Sequence, residues 1–269
     1  MSSIPRYLIV GGGRAARHID HYFNLLKLPH EHWKASRELT PRFLESARSA
    51  THILLLVSDQ AVASVGAQIR TGLADLGVQT PGQLIHFSGA LSIEGIAGAH
   101  PLFPFTHDLY TRETYERIPF VLENRKETFR ENSEANLKEL LPGLPNPACR
   151  IDPEKKALYH ALCVASGNFT TLLWQTVFRR FESALELQPE ILFPYLSQIT
   201  VNLENNWKGA LTGPLTRGDH PTLQSHLQSL EGDPLQKIYQ QFVEFHFAEN
   251  AETTKVRGLS QENSHAHCP

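Results

Sequence analysis

The sequence predicts an α/β protein in two parts, a parallel-sheet domain followed by a smaller all-α domain. Three observations carry that prediction. Short apolar runs alternate with helix-like stretches through the first half of the chain, the pattern of a parallel sheet with right-handed crossovers. The run HILLLVS at 52–58 has no polar alternation, as expected of a strand covered on both faces. The texture then changes at LLPGLPNPACRIDPEKK, where three prolines fall between Pro142 and Pro147 and mark a linker. Beyond it only helical periodicity is found. The expected parts are a sheet domain over 1–148, a helical domain over 149–248 and a disordered polar tail over 249–269, which lacks periodicity.

The elements follow in order. Residues 6–10 read as a strand and 14–26 as a helix. EHWKASR at 31–37 is a weaker second strand. The strand at 52–58 leads into a helix ending near 76, capped by Asp59 or a neighbour. GQLIHFSG at 82–89 is a strand ending in small residues. AGAHPLFPF at 97–105 reads as a loop or short strand and IPFVLE at 118–123 as a strand. A long helix is expected from 152 or 153 to 187, interrupted or softened near Gly167. Another covers 189–206, with Pro194 in its first turn. A loop rich in Gly, Pro and Thr spans 209–221, and helices close the chain at 221–230 and 235–247. No internal repeat or low-complexity tract occurs.

The totals bound the function. At 269 residues the chain has room for a substantial core. A net charge of -3 gives no electrostatic case for nucleic acid or an anionic membrane surface. No apolar run reaches the length of a membrane span, and MSSIPR has no apolar signal core. Three widely spaced cysteines, Cys149, Cys163 and Cys268, argue against a disulfide framework and a thiolate zinc site. A cytoplasmic, reduced setting is expected.

The stretch YLIVGGGRAARHI at 7–19 carries the first chemistry. Gly11, Gly13 and Ala16 fit G-x-G-x-x-[GA], following a strand and opening a helix. In a dinucleotide site the first glycine allows the tight turn. The second admits the pyrophosphate to the backbone, and the third position must be small for helix–strand packing. Arg14 and Ala15 begin the helix, whose free N–H groups and dipole favour a phosphate. This is the Rossmann-type signature; the bland alternative is a glycine turn without a ligand. An acidic residue about 20 positions on would hold the ribose of NAD. Here Ser36 and Arg37 stand at the end of the second strand, which favours the 2′-phosphate of NADP(H). Glu38 follows directly, and a shift of one or two residues would return the choice to NAD.

The stretches LIVGGGRAARHI, LLLVSDQAV, IHFSGALS, AHPLFPF, KALYHALCVASGNF and LTGPLTRGDHPTLQSHL occur in an order that resembles one family. Its members are Rossmann-like proteins whose C-terminal helical domain is catalogued as DUF2520. That family is related to pyrroline-5-carboxylate reductase, the β-hydroxyacid dehydrogenases and ketopantoate reductase. Some members act as an alternative ketopantoate reductase in pantothenate synthesis. The resemblance implies an NADP-dependent oxidoreductase in which Val57, Ser58 and Asp59 lie along the cofactor. Ser88 and Gly89, at the same carboxyl edge of the sheet, would approach the nicotinamide or the substrate. His86, within that strand, reads as structural. The family pattern places His100, in a loop, near the substrate.

In the relatives a Lys at the start of the domain-joining helix, with an Asn one or two turns on, polarises the substrate oxygen. Lys156, His160 and Asn168 match in type but not in register. At about 100° per residue they span one broad groove, and either Lys156 or His160 is the proton donor. Imidazole suits donation near neutral pH, and lysine does so if burial lowers its pKa. Thr212 and Arg217, in LTGPLTRGD, would hold a carboxylate, or Arg217 and Asp219 only shape the loop. HEH at 30–32, placed in a loop, and HAHC at 265–268 are not read as metal sites. The implied function is NADPH-dependent reduction of a small 2-keto acid, ketopantoate first. Pyrroline-5-carboxylate or imine reduction is the enzymatic alternative, and an NADP(H) sensor or protein-interaction module the non-enzymatic one. A homodimer through the helical domain is expected.

Overall fold

The computed structural model describes residues 4–34, 39–124 and 133–262. The chain divides into two compact units, Met1–Thr170 and Thr171–Pro269.

The first unit is built on a seven-stranded sheet in the order β2-β1-β3-β4-β5-β6-β7. Its strands are β1 (Tyr7–Val10), β2 (His30–Trp33), β3 (His52–Leu55), β4 (Gln83–His86), β5 (Ala97–Pro101), β6 (Phe120–Glu123) and β7 (Ala148–Ile151). Strands β2, β1, β3, β4 and β5 are mutually parallel. β6 pairs antiparallel with β5 and parallel with β7. Helices α1 (Arg14–Leu26), α2 (Pro41–Ser49), α3 (Asp59–Asp75), α4 (Arg112–Glu116), α5 (Ser133–Leu140) and α6 (Lys156–Cys163) complete the unit. A six-residue π-helical segment, Val164–Phe169, follows α6.

Alternate residues of β1, β3 and β4 enter two separate cores, as the pleat requires. Tyr7, Ile9, Leu54 and Ile85 face one core together with Tyr22, Phe23 and Phe120. Leu8, Val10, Ile53, Leu55 and Leu84 face the other with Phe43, Val65 and Ile69. A strand with both faces covered has no solvated side, which explains the unbroken apolar run of β3. Each large apolar side chain so buried contributes about 1.5–3 kcal/mol.

The second unit is helical: α7 (Thr170–Leu185), α8 (Phe193–Asn206), α9 (Pro214–Arg217), α10 (His220–Ser229) and α11 (Leu235–Glu262). The Arg180 guanidinium and the Asp233 carboxylate pair within it. Its apolar faces are far more open than those of the first unit: Trp207 is 72% exposed and Phe245 63%.

An α/β unit followed by a helical one is the architecture expected, with differences of detail. Strand β7 lies at the expected linker and beyond it. Its pairing with β6 draws 148–170 into the first unit, so the units divide at Thr170 rather than at 148. His30–His32 lies in strand β2 and His100 in strand β5, not in loops. Helix α11 continues through Glu262, past the start of the expected tail. The helices α2, α4 and α5 were not expected. The softening near Gly167 takes the form of the π segment, in which i→i+5 bonding widens one turn. No helix among the described residues is long and apolar enough to cross a membrane.

Candidate functional site

The glycine turn between β1 and α1 has the geometry its sequence demands. Gly11 has φ +138°, and a Cβ there would sit 2.1 Å from the Leu56 carbonyl oxygen. Only glycine allows β1 to turn this close to the end of β3. Gly13 is the N-cap of α1, and a Cβ on it would meet nothing within 4 Å, so its backbone faces open space. Ala16 is fully buried under the helix. Together Gly11, Gly12, Gly13, Arg14 and Ala15 line one wall of a cavity of about 470 Å³. Leu56, Val57, Ser58 and Ala61 line the opposite wall, and Phe105 contributes from the loop after β5.

Two histidines support this turn from behind. His32 Nε2 donates to the Gly11 carbonyl at 2.7 Å. Asp20 Oδ1 lies 3.2 Å from both His30 Nε2 and His32 Nδ1. His18 binds the Thr106 carbonyl through Nε2 (3.0 Å) and the Tyr115 hydroxyl through Nδ1 (2.7 Å), and so ties α1 to the loop that carries Phe105. Burial lowers the proton affinity of His18 and favours the neutral ring. Among the described residues no group of three or more His, Cys, Asp or Glu side chains could hold a metal.

A hydrogen bond links the edge of this cavity to the end of β4 along the carboxyl edge of the sheet. Ser58 is the N-cap of α3, and Asp59 is the first residue of that helix. The Ser88 hydroxyl donates to Asp59 Oδ2 (2.9 Å) and accepts from the N–H groups of Ala90 and Leu91. Next to it, Gly89 is buried. A Cβ there would lie 2.7 Å from His160 Cδ2 and 3.1 Å from His100 Nε2. The missing side chain is what lets the two imidazoles close over the end of β4. Their ring centroids are 6.3 Å apart, edge to face. His100 Nδ1 is hydrogen-bonded to the Tyr159 hydroxyl at 2.7 Å.

These rings form one end of a second cavity, of about 300 Å³, whose other walls are Leu102, Phe103, Pro104, Cys163, Val164, Ser166, Gly167 and Asn168. The π segment matters here. Its wide turn brings Val164, Gly167 and Asn168 onto the wall already occupied by His160 and Cys163 of α6. Burial, then the fields of His160 and Lys156, push the His100 pKa down to about 4, so the ring is neutral at physiological pH.

Lys156 is not exposed to this cavity in the way the spacing suggested. It is buried, with Nζ donating to Glu123 Oε1 (2.8 Å) and to the Ser88 carbonyl (3.1 Å). Burial opposes the charge on Glu123, but hydrogen bonds from His86 and Lys156 and the Lys156 charge outweigh it and hold the carboxyl at about 2. His86 is a core residue at the end of β4, with Nε2 3.6 Å from Glu123 Oε1.

The structure therefore brings together Val57, Ser58, Asp59, Ser88, Gly89, His100, Lys156, His160 and Asn168 in the first unit. Ser36 and Arg37 lie outside the described residues. Thr212 and Arg217 belong to the second unit, where Arg217 ends α9. There Asp219 caps α10 by accepting from the Thr222 N–H and hydroxyl. Sequence reasoning missed Glu123, Tyr159 and Phe105. The one signal for Glu123 was a lone carboxylate ending an otherwise apolar strand, IPFVLE.

Residues 118–244 match the model of a domain of unknown function, DUF2520. No curated protein matches the chain. Among solved structures, the chain is similar to protein BF3122 of Bacteroides fragilis, with a TM-score of 0.66 and 19% identity over 91% of this chain and 99% of that one. It is also similar to the imine reductase of Streptomyces aurantiacus, with a TM-score of 0.62 and 11% identity over 91% and 95%. The pyrroline carboxylate reductase of Plasmodium falciparum, solved with NADP bound, has a TM-score of 0.56 and 15% identity over 91% and 97%. These likenesses establish a shared two-part Rossmann architecture.

Proposed function

We propose that this chain is an NADPH-dependent reductase of a small 2-keto acid, ketopantoate to pantoate being the substrate pair assigned first, a step of pantothenate biosynthesis. The observation that carries the reading is the link from glycine cradle to histidine pocket, through Ser58, Asp59, Ser88 and Gly89. NADPH supplies the hydride; the protein binds, orients and moves a proton. Gly11, Gly13, Arg14, Ala15 and Ala16 cradle the pyrophosphate, and Ser36 and Arg37 take the 2′-phosphate. Val57, Ser58, Asp59 and Ser88 line the way to the nicotinamide. The NADP in the pyrroline carboxylate reductase of the same architecture supports this assignment.

Of the two candidate acids, His160 is favoured. It lines the pocket, whereas Lys156 Nζ is committed to Glu123 and Ser88. His160 protonates the developing alkoxide, Asn168 orients the carbonyl, and Gly89 and His100 bound the substrate. Thr212 and Arg217 are assigned to the carboxylate, and Arg217→Ala should raise KM more than it lowers kcat. Exposed Trp207, Tyr195 and Phe245 in the second unit support a homodimer through that unit. A Trp207→Asp chain that sediments as wild type would argue against it.

A second reading, reduction of pyrroline-5-carboxylate or another cyclic imine, draws on the shared architecture with an imine reductase. The test is NADPH oxidation with ketopantoate, 2-ketoisovalerate and pyrroline-5-carboxylate side by side. Ketopantoate turnover lost in His160→Gln supports the first reading. Turnover of the imine alone supports the second, and NADPH binding without any turnover supports a sensor.

A further inference from the structure

A buried charge cluster adjoins the pocket but is not used by proton transfer from His160. Glu123 ends β6 and Lys156 begins α6; they are 1% and 2% exposed. Glu123 reaches across β5 because Gly98 has no side chain: a Cβ there would lie 2.8–2.9 Å from Cγ, Cδ and Oε1 of Glu123. The carboxylate arrives beside His86 of β4 and 3.5 Å from the Ser92 hydroxyl, which donates to it. Lys156 Nζ faces this carboxylate and the Ser88 carbonyl. His160 of α6, Lys156, Asp59 of α3 and His86 all act on the neighbouring His100 of β5.

Stability does not account for this arrangement. Taking both charges out of water costs several kcal/mol per ion, and an apolar pair of similar volume often serves as well or better. Proton donation does not account for it either. A lysine that gives up its proton near neutral pH needs a lowered pKa, while an adjacent carboxylate favours the ammonium form. What the pair does hold is Ser88. That residue is fixed at its hydroxyl by Asp59 and at its carbonyl by Lys156. The next peptide, Gly89, is the surface against which His100 and His160 rest.

We infer that Glu123 and Lys156 are positioning residues: through Lys156 Nζ they fix the Ser88 carbonyl, and with it the Gly89 backbone that seats His100 and His160, while Lys156 itself gives no proton. The inference rests on the reductase reading of the pocket but can be tested apart from it. In the whole chain labelled with ¹⁵N-lysine and ¹⁵N-histidine, Lys156 should be an ammonium ion at the pH of turnover, held so by the Glu123 carboxylate. A neutral amine at that pH would overturn the inference. In Glu123→Gln the Lys156 titration should move down and the ring signals of His100 and His160 should shift. Unmoved ring signals would also overturn it.

Should Glu123→Gln fail to fold, the paired Lys156→Met/Glu123→Gln chain removes both charges and leaves neither unpaired. It should fold and bind NADPH like wild type, with displaced imidazole signals and kcat/KM lowered about 10²-fold, mostly in kcat. Wild-type ring signals in that chain would refute positioning. NADPH fluorescence on the same samples separates the two claims. A wild-type protein that binds no NADPH defeats the reductase reading, while the Lys156 titration still decides the positioning role.

Discussion

The two cavities of the first unit are built in opposite ways. One wall of the glycine cradle is a single contiguous stretch, residues 11–15, and the other comes mainly from the segment that joins β3 to α3. Each of its positions answers a single local requirement: a left-handed φ at Gly11, an open face at Gly13, a small buried side chain at Ala16. The histidine pocket is assembled from the ends of β4 and β5, from α6 and from the π segment. Behind it stands an ion pair that bridges β6 and α6. The first kind of site depends on backbone, the second on side chains held by partners far away in sequence. Damage to the cradle should therefore cost folding and binding together, whereas damage to the pocket should separate the two.

Gly11→Ala should have the largest effect. The new Cβ would overlap the Leu56 carbonyl, a backbone atom with no room to yield, at a φ unsuited to an L residue. Strain and overpacking together predict a loss of roughly 3–5 kcal/mol and no measurable NADPH binding. Denaturant unfolding and NADPH fluorescence would show it, and a stable Gly11→Ala chain that still binds NADPH would break the comparison.

Lys156→Met follows closely. It strands the Glu123 carboxylate in the core, which should cost about 3–5 kcal/mol. The paired Lys156→Met/Glu123→Gln chain should recover most of that loss, and a double-mutant cycle reads the difference. If the paired chain is no more stable than the single one, the ion pair is not the unit described. Gly98→Ala is milder, about 1–3 kcal/mol from overpacking, because the Glu123 side chain can give way where a backbone cannot. Its signature is a fall in kcat larger than the change in NADPH affinity.

A further test is the pH dependence of stability. His100 has a pKa of about 4 in the folded chain against 6.5 for an ordinary histidine, so the unfolded state binds this proton more tightly. Its contribution to stability is full above pH 6.5 and is lost as the pH falls from there towards 4. Glu123 adds a second, lower window. Its contribution is present above 4.5 and lost as the pH falls towards 2. The melting temperature should thus decline in two stages on acidification, and His100→Phe should shrink only the upper one, to which the buried His18 and His52 also contribute.

Much of the fold was legible because local pattern and global role agree. The apolar run of β3 and the glycines after β1 each admit few alternatives. The pocket was legible only in part. Lys156, His160 and Asn168 were identified by type, but an ideal helix could not place them, since the π segment changes the phase after Val164. Lys156 read as a groove residue because its partner, Glu123, lies 33 residues away on another element. His100 looked like a loop residue because β5 is short and itself contains Gly98 and Pro101. Strand β7 hid in a proline-rich stretch, since an edge strand tolerates the composition that also marks a linker.

The most direct test of the account is single-turnover and steady-state NADPH oxidation by wild type and His160→Gln, with ketopantoate as the carbonyl. The account predicts turnover by wild type and a loss of about 10²–10⁴-fold in the variant, with NADPH affinity unchanged. Equal turnover by both chains, or tight NADPH binding with no turnover of any carbonyl or imine, would contradict it.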